Sequence, residues 1–334
     1  MGVTQLQKSS SHHTHFRSNW VRLSAASPRF VVPPRCGLST SILNAKISIF
    51  EIHSYPMKKT ILLTFLLFFA IISSAQNLKL MTYNIRYDNP NDGENAWPNR
   101  KEYLFSQLAF YEPDVLGIQE ALPHQVTEMA SALSSDNYVG TARDGIGKGE
   151  SSNIFYKKER FELLQHNTFW LSETPEKISK GWDAALNRVC TYVLLKDKKS
   201  KKTFWVFNTH LDHMGELART NSIQLILSRI KTLNTKNYPV FFMGDFNSEP
   251  TEERIINLKK EMMDSKDVSE EKPFGPIGTF NAFQHNQPVI KRIDYIFISK
   301  KSDLKVVKYA IISDSNDLKY PSDHLPVYAE IRFN

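Results

Sequence analysis

The sequence predicts an α/β fold, and three observations predict it. Segments of strand period alternate with segments of helical period along the chain after Ala75, the pattern of sheets whose faces helices must cover. The 334 residues are 41% hydrophobic and 23% charged, which suits a globular protein with a substantial core. No short-period repeat or low-complexity linker follows Ala75, so residues 77–334 are expected to form one domain.

Residues 57–75 resemble a secretory signal peptide. Lys58 and Lys59 form a charged start, Ile61 to Ile72 form a run rich in Leu, Ile and Phe, and Ser73-Ser74-Ala75 supplies small residues for cleavage. The run is too short to span a bilayer comfortably, so export with cleavage near Ala75 is expected rather than a stable membrane anchor. Residues 1–56 carry SSSHHTH and PPRC, one acid, and no sustained period. They are expected to be a mis-called or disordered extension ahead of a true start at Met57, with a transit peptide as the alternative. Of the 42 Lys and Arg, eight precede residue 77, as does one of the 35 acids. The remainder carries 34 of each sign and no net charge, so it lacks the basic footprint of a protein that grips long nucleic acid. Its single cysteine, Cys190, lies in an apolar segment, which predicts a buried thiol and no internal disulfide.

Leu78 to Tyr83 alternates as a strand and delivers Asn84 at its end. Pro98 to Tyr111 places Tyr103, Leu104, Leu108 and Tyr111 at helical intervals, with Pro98 in the first turn and Pro113 beyond the end. Asp114 to Ile118 is a short buried strand leading to Gln119-Glu120, and Pro123 to Leu133 is a second helix. Strands follow over 138–140, 152–156 and 161–171, the first two joined by the glycine-rich TARDGIGKGE. Val189 to Leu195 and Phe204 to Phe207 flank KDKKSKK, a solvated hairpin turn. Gly215 to Leu233 is a long amphipathic helix. The strand before Gly244, then Ile293 to Ile298, Val306 to Ile312 and Val327 to Phe333, complete the set.

The polar residues collect where these strands end: Asn84, Glu120, Asn208 and His210, Asp245 and Asn247, Asp294, and Asp323-His324. Asp245-Phe246-Asn247-Ser248 alone could merely end a strand and cap a helix. Six strand ends carrying Asn, Glu, His and Asp instead compose a site for a hard cation and a phosphate, because carboxylate and amide oxygens suit Mg²⁺ or Mn²⁺ whereas zinc favours more His or Cys. Arg188 could bind a phosphate as a two-pronged donor or form a surface salt bridge. Arg143 sits in a loop that lacks the GxxxxGK[ST] of a nucleotide-binding P-loop. No GxSxG elbow occurs, and acyl transfer through a nucleophile is unsupported.

Asn84, Gln119-Glu120, Asn208-Thr209-His210, Gly244-Asp245-Phe246-Asn247, Ile293-Asp294-Tyr295 and Ser322-Asp323-His324 resemble, in order, the signature set of the endonuclease/exonuclease/phosphatase superfamily. RYDNP, WPNR and the GKGE loop look more like its bacterial exported branch, distantly similar to deadenylase-type phosphodiesterases. The resemblance implies a DNase I-like four-layer α-β-β-α sandwich of two packed sheets with outer helices. It implies Glu120 as the main ligand of Mg²⁺ (or Mn²⁺), with Asn84 and Asp323 beside it. It also implies Asp245 orienting or deprotonating the attacking water with Asn247 beside it, His324 on the phosphoryl oxygen or in acid–base work, Asp294 holding its ring, and His210 donating to the developing charge. Arg188, Arg143 and Asn208 are the candidate substrate contacts.

The expected protein is an exported, Mg²⁺-dependent phosphohydrolase that cleaves an ester of a sugar phosphate, glycan phosphate or nucleotide by direct attack of water, acting as a monomer. A nuclease or phosphodiesterase is the alternative, although neutrality weighs against duplex nucleic acid. A catalytically silent protein that binds a phosphorylated ligand is the second alternative, and it predicts a gap in the metal and water set.

Overall fold

In the computed structural model, residues 77–301 and 303–333 are described. The expected extension and signal peptide lie outside them. Among the described residues, twelve strands form two six-stranded mixed sheets. The first sheet holds β1 (Leu78–Asn84), β2 (Val115–Gln119), β3 (Asp136–Val139), β4 (Ile154–Lys157), β11 (Leu304–Ile311) and β12 (Val327–Phe333), in the order β11-β12-β1-β2-β4-β3. The second holds β5 (Phe161–Trp170), β6 (Val189–Asp197), β7 (Thr203–His210), β8 (Val240–Asp245), β9 (Met262–Asp264) and β10 (Asp294–Ser299), in the order β5-β6-β7-β8-β10-β9. Four α-helices accompany them: α1 (Trp97–Tyr111), α2 (Pro123–Ala132), α3 (Glu216–Leu233) and α4 (Glu253–Glu261).

Three apolar clusters explain the layering. Leu80, Val115 and Val327 of the first sheet meet Val193, Val206, Phe241 and Ile296 of the second in a core between the sheets. Trp97, Leu104 and Leu108 of α1 and Met129 of α2 cover the other face of the first sheet. Ile223, Ile226, Ile255 and Leu258 of α3 and α4 cover the other face of the second. Strands buried on both faces read as continuous apolar runs rather than alternating ones, which is why VFFM in β8 has no polar side. The result is the four-layer α-β-β-α sandwich the sequence predicts.

Local chemistry sets the element ends. Pro98 sits in the first turn of α1, and Glu112, in the left-handed region with φ 47°, closes that helix by donating its N–H to the Leu108 carbonyl. Helix α3 begins after Gly215 and lacks a side-chain cap of its own. The carboxylate of Asp183 supplies one from another loop, accepting from the N–H groups of Leu217 and Ala218 at 3.2 and 2.7 Å. Among the strands and α-helices, two go beyond the sequence reading, α4 and β9. Both are short, and β9 exists because its three residues pair with β10, a distant partner that local periodicity does not reveal. Among the described residues no helix is long and apolar enough to cross a membrane.

Candidate active site

Strand pairing alone gathers most of the site. In the parallel pair β1–β2, Asn84 stands opposite Gln119. In the parallel pair β7–β8, His210 stands opposite Asp245, and in the antiparallel pair β8–β10, Asp245 stands opposite Asp294. The same ends of both sheets therefore carry the polar residues, where loops supply side chains over a rigid base. Gly244 has φ +142°, and a Cβ there would lie 2.0 Å from the Thr209 carbonyl oxygen. Only glycine lets β8 approach β7 this closely just before Asp245. Glu120 and Asn247 take left-handed conformations, φ 64° and 45°, where the chain leaves each strand.

The buried centre is a chain of carboxylates and imidazoles. His324 Nδ1 is 2.9 Å from Asp294 Oδ2, and His324 Nε2 is 3.8 Å from Asp245 Oδ2. Burial alone would lower the His324 pKa, but the charges of Asp294 and Asp245 outweigh it and raise it. Asp245 is in turn raised, first by burial and then by Asp294, as a carboxylate that can take up a proton must be. The Asn247 N–H donates to Asp245 Oδ1 at 2.8 Å, and its amide NH₂ donates to the Leu211 carbonyl at 3.0 Å. The same NH₂ lies 3.0 Å from His210 Nε2, which makes that nitrogen an acceptor and places the proton of a neutral ring on Nδ1. Burial, followed by the charge of Arg188, holds the His210 pKa well below its usual range, so the ring is neutral. Donation from His210 Nε2 toward a phosphate would require the other tautomer.

Around this centre stands an oxygen-rich group. Asn84 Nδ2 donates to Glu120 Oε1 and Asp245 Oδ2, both at 3.0 Å, and the Tyr87 N–H donates to Glu120 Oε2 at 3.1 Å. Asp323 is buried, 3.7 Å from Arg86 Nη1. Its pKa is raised by burial first, with the charge of Glu120 adding to the rise. Asp323, disfavoured as an anion by burial and by the Glu120 charge, forms with Glu120 a donor set that a divalent cation would satisfy, and oxygen donors suit a hard one. Asn84 departs from the expected ligand role. An amide between two carboxylates turns its NH₂ toward them, and its oxygen accepts the Arg86 N–H at 3.0 Å instead. Asp245, Asp294 and His324 each bring a donor atom within 4.8 Å of the others, and this buried group could also hold a metal. Asp294 Oδ2 and His324 Nδ1 are engaged with each other there, while the buried Asp294 Oδ1 has no hydrogen-bond partner among the described residues.

Glu120, Asp245, Asn247, His210, Asp323 and His324 line a cavity of about 650 Å³, while Asn84 and Asp294 stand behind them. Arg188 and Arg143 reach it, each paired with a carboxylate. Arg188 Nε donates to Asp212 Oδ2 at 3.2 Å and its Nη2 to His213 Nδ1 at 2.9 Å, while both terminal nitrogens of Arg143 engage Glu150 at 2.8 Å. Asn208 does not reach the cavity. It is fully buried between the sheets, donating to the Ile118 and Asn153 carbonyls, each at 2.9 Å, and accepting from Gln119 at 2.7 Å. Gly117 makes room for it, since a Cβ there would lie 2.8 Å from Asn208. Asn208 thus ties β7 to β2 behind the site and is not the expected substrate contact, because its amide already has partners inside the fold.

Several lining residues escaped the sequence reading: Arg86, Tyr87, Glu150, Phe280 and Lys291. Arg86 follows Asn84 by two positions and Lys291 precedes Asp294 by three, a proximity that could have signalled them. Glu150 ends the GKGE loop that carries part of the family resemblance, but no role at the site is read from it there.

Two packed mixed sheets under outer helices, with a metal-competent acidic pocket and a carboxylate-backed histidine at the strand ends, define a metal-dependent phosphoric ester hydrolase. The model of the Endonuclease/Exonuclease/phosphatase family matches residues 81–324, and the chain belongs to that family. The solved structure of a Bacteroides thetaiotaomicron mannosyl-6-phosphatase, Bt3783, is 36% identical with a TM-score of 0.72, covering 77% of this chain and 100% of its own. Mouse Nocturnin is 23% identical over 303 residues, or 78% of this chain and 67% of its own length. The Ccr4 exoribonuclease subunit of the Kluyveromyces lactis CCR4-Not complex is 24% identical over 294 residues, or 70% of this chain and 37% of its own length.

Proposed function

We propose that the protein is an exported, Mg²⁺-dependent phosphatase that releases phosphate from a small phosphorylated molecule, a sugar phosphate or glycan phosphate foremost. The observation that carries this reading is the size and walling of the cavity. About 650 Å³ suits a small ligand, and the Arg143–Glu150 and Arg188–Asp212 pairs stand at its side. The name of the similar Bacteroides protein supports a sugar phosphate, the neutral charge of residues 77–334 weighs against a long polyanion, and the apolar run at 61–72 behind two lysines supports export.

In this reading the substrate phosphate lies between Glu120 and Asp323 on one side and Asn247 and His210 on the other, with Arg188 donating to its oxygens. Asp245 orients the attacking water and takes its proton as the water oxygen bonds to phosphorus and the ester oxygen leaves. His324, cationic against Asp294, meets the charge that builds on the phosphoryl oxygens. Glu120 and Asp323 would hold a Mg²⁺ or Mn²⁺ ion, which would supply further positive charge there.

A second reading, a nuclease, is favoured by the four cationic side chains along the cavity, Arg86, Arg143, Arg188 and Lys291, and by relatives named as exonucleases. The test is phosphate release by the purified protein from a panel of sugar phosphates and nucleotides, beside plasmid nicking, with and without Mg²⁺. Release from the small esters is expected. Nicking without release from any of them would overturn the proposal in favour of the nuclease.

A further inference from the structure

The catalytic scheme leaves one partly buried pair in the cavity wall unused: Arg143 and Glu150. The pair sits at the two ends of a tight loop. The Arg143 N–H donates to the Glu150 carbonyl at 2.8 Å, and the Lys148 N–H donates to the Gly145 carbonyl at 3.0 Å. Trp170 Nε1 donates to the Arg143 carbonyl at 2.7 Å, and Asn187 Nδ2 donates to Asp144 Oδ1 at 2.8 Å. The loop is thus fastened to β5 and to the segment ahead of β6, and Gly145, Gly147 and Gly149 all take positive φ. A fork held this way is ordered before any ligand arrives, so little ordering cost remains at binding.

The chemistry of the pair excludes one role and suggests another. Both terminal nitrogens of Arg143 already face Glu150, so this arginine is not a free phosphate clamp. An ionised carboxylate offers about four lone-pair directions, and Arg143 occupies two of those on Glu150. The remaining acceptor capacity faces two spaces. One is the large cavity over the Asp245–His324 centre. The other is a recess of about 10 Å³ whose lining includes Glu150, Glu120, Ser152, Arg143, Arg188 and His210, room for about one water-sized group. An acceptor with spare lone pairs, beside a niche of that size and a Ser152 hydroxyl, calls for a hydroxyl donor. It does not call for a second phosphate, which a carboxylate repels.

Resting on the phosphatase reading above, we infer that Glu150, held by Arg143, reads a hydroxyl of the leaving group and so selects phosphate esters carried on a polyol. A sugar hydroxyl donates to Glu150 while the ester oxygen sits at the catalytic centre. An ester without that hydroxyl leaves the partly buried carboxylate short of a partner, which costs binding.

The test compares kcat/KM of the purified protein, at saturating Mg²⁺, for mannose 6-phosphate and for n-hexyl phosphate, which has a primary ester and no hydroxyl. In the wild type the ratio favours the sugar ester. In Glu150→Gln, which keeps the side-chain shape, the ratio is expected to fall about ten- to a hundred-fold, the worth of a hydrogen bond to a charged group. Ser152→Ala leaves the ion pair intact and is expected to move the ratio the same way by a smaller factor; it decides the matter if Glu150→Gln does not fold. Equal loss on both substrates, or a raised Mg²⁺ requirement with an unchanged ratio, would overturn the inference and place Glu150 in the common machinery. An unchanged ratio in both variants would overturn it as well. Failure of the wild type to release phosphate from either ester would instead sink the phosphatase reading itself.

Discussion

Asp294 Oδ2 lies 2.9 Å from His324 Nδ1, and both side chains are almost fully buried. The pairing holds the ring in place and keeps Nε2 turned toward Asp245, so the placement of the cationic imidazole is decided by a residue that never faces the substrate. Asp294→Asn keeps the shape and removes the charge. Its kcat is expected to fall on the order of 10²- to 10⁴-fold with KM little changed, and its melting temperature to stay within a few degrees. A loss confined to KM would contradict this role for Asp294.

Removal of the metal by a chelator is expected to abolish phosphate release, with recovery on adding Mg²⁺ or Mn²⁺. Glu120→Gln is expected to shift the Mg²⁺ activation curve to higher concentration and to reduce the maximal rate at least about 10²-fold, because an amide oxygen is a weaker ligand for a hard cation. Titration of activity against Mg²⁺ for the two proteins checks both statements. An unchanged midpoint would place the ion elsewhere.

Arg100 of α1 predicts a structural effect. Its buried guanidinium donates to four backbone carbonyls, those of Asn95, Ile85, Arg86 and Pro321. It joins the loop after Asn84 to the loop before Asp323, and burial pushes its pKa down to about 10. Arg100→Met leaves those carbonyls without their donor, and a loss of about 3 kcal/mol or more is expected in chemical denaturation. A value under about 1 kcal/mol would show that the loops close without it.

Acid sensitivity follows from two depressed carboxylates. Burial alone would raise Asp212, but the N–H groups of Gly215, Ala185 and Met214 and the Arg188 guanidinium hold it below the usual carboxylate range. Asp197 is likewise lowered, against its burial, by the Ser200 and Lys199 N–H groups and by Arg160. A folded pKa below the unfolded one contributes stability that is complete above about pH 4 and is lost as pH falls through the folded value. Denaturant melts from pH 6 to pH 2 are expected to show falling stability below about pH 4, with a shallower slope in Asp212→Asn. An identical slope in that variant would remove Asp212 from the account.

The pattern of success and failure along the chain has a physical basis. Strands such as LKLMTY and VFFMG and the helix at Gly215 to Leu233 were legible because side-chain periodicity is a local property. The catalytic candidates were legible because several polar residues recur where apolar strands stop. Helix α4 and strand β9 were not, since short elements owe their existence to distant partners. The cavity's Glu150 was hidden for the same reason: it faces Glu120 only after β4 has paired with β2.

The sequence by itself determined the longer strands and helices and which oxygen and nitrogen donors stand at their ends, because those depend on the residues and their near neighbours. Only the tertiary structure decided how each donor is used. Asn208 turned inward to join the sheets, Asn84 offered its NH₂ rather than its oxygen, and Arg143 was taken by Glu150. Hydrogen-bonding groups are assigned by competition among partners that folding brings from far along the chain, and no local pattern records the outcome of that competition.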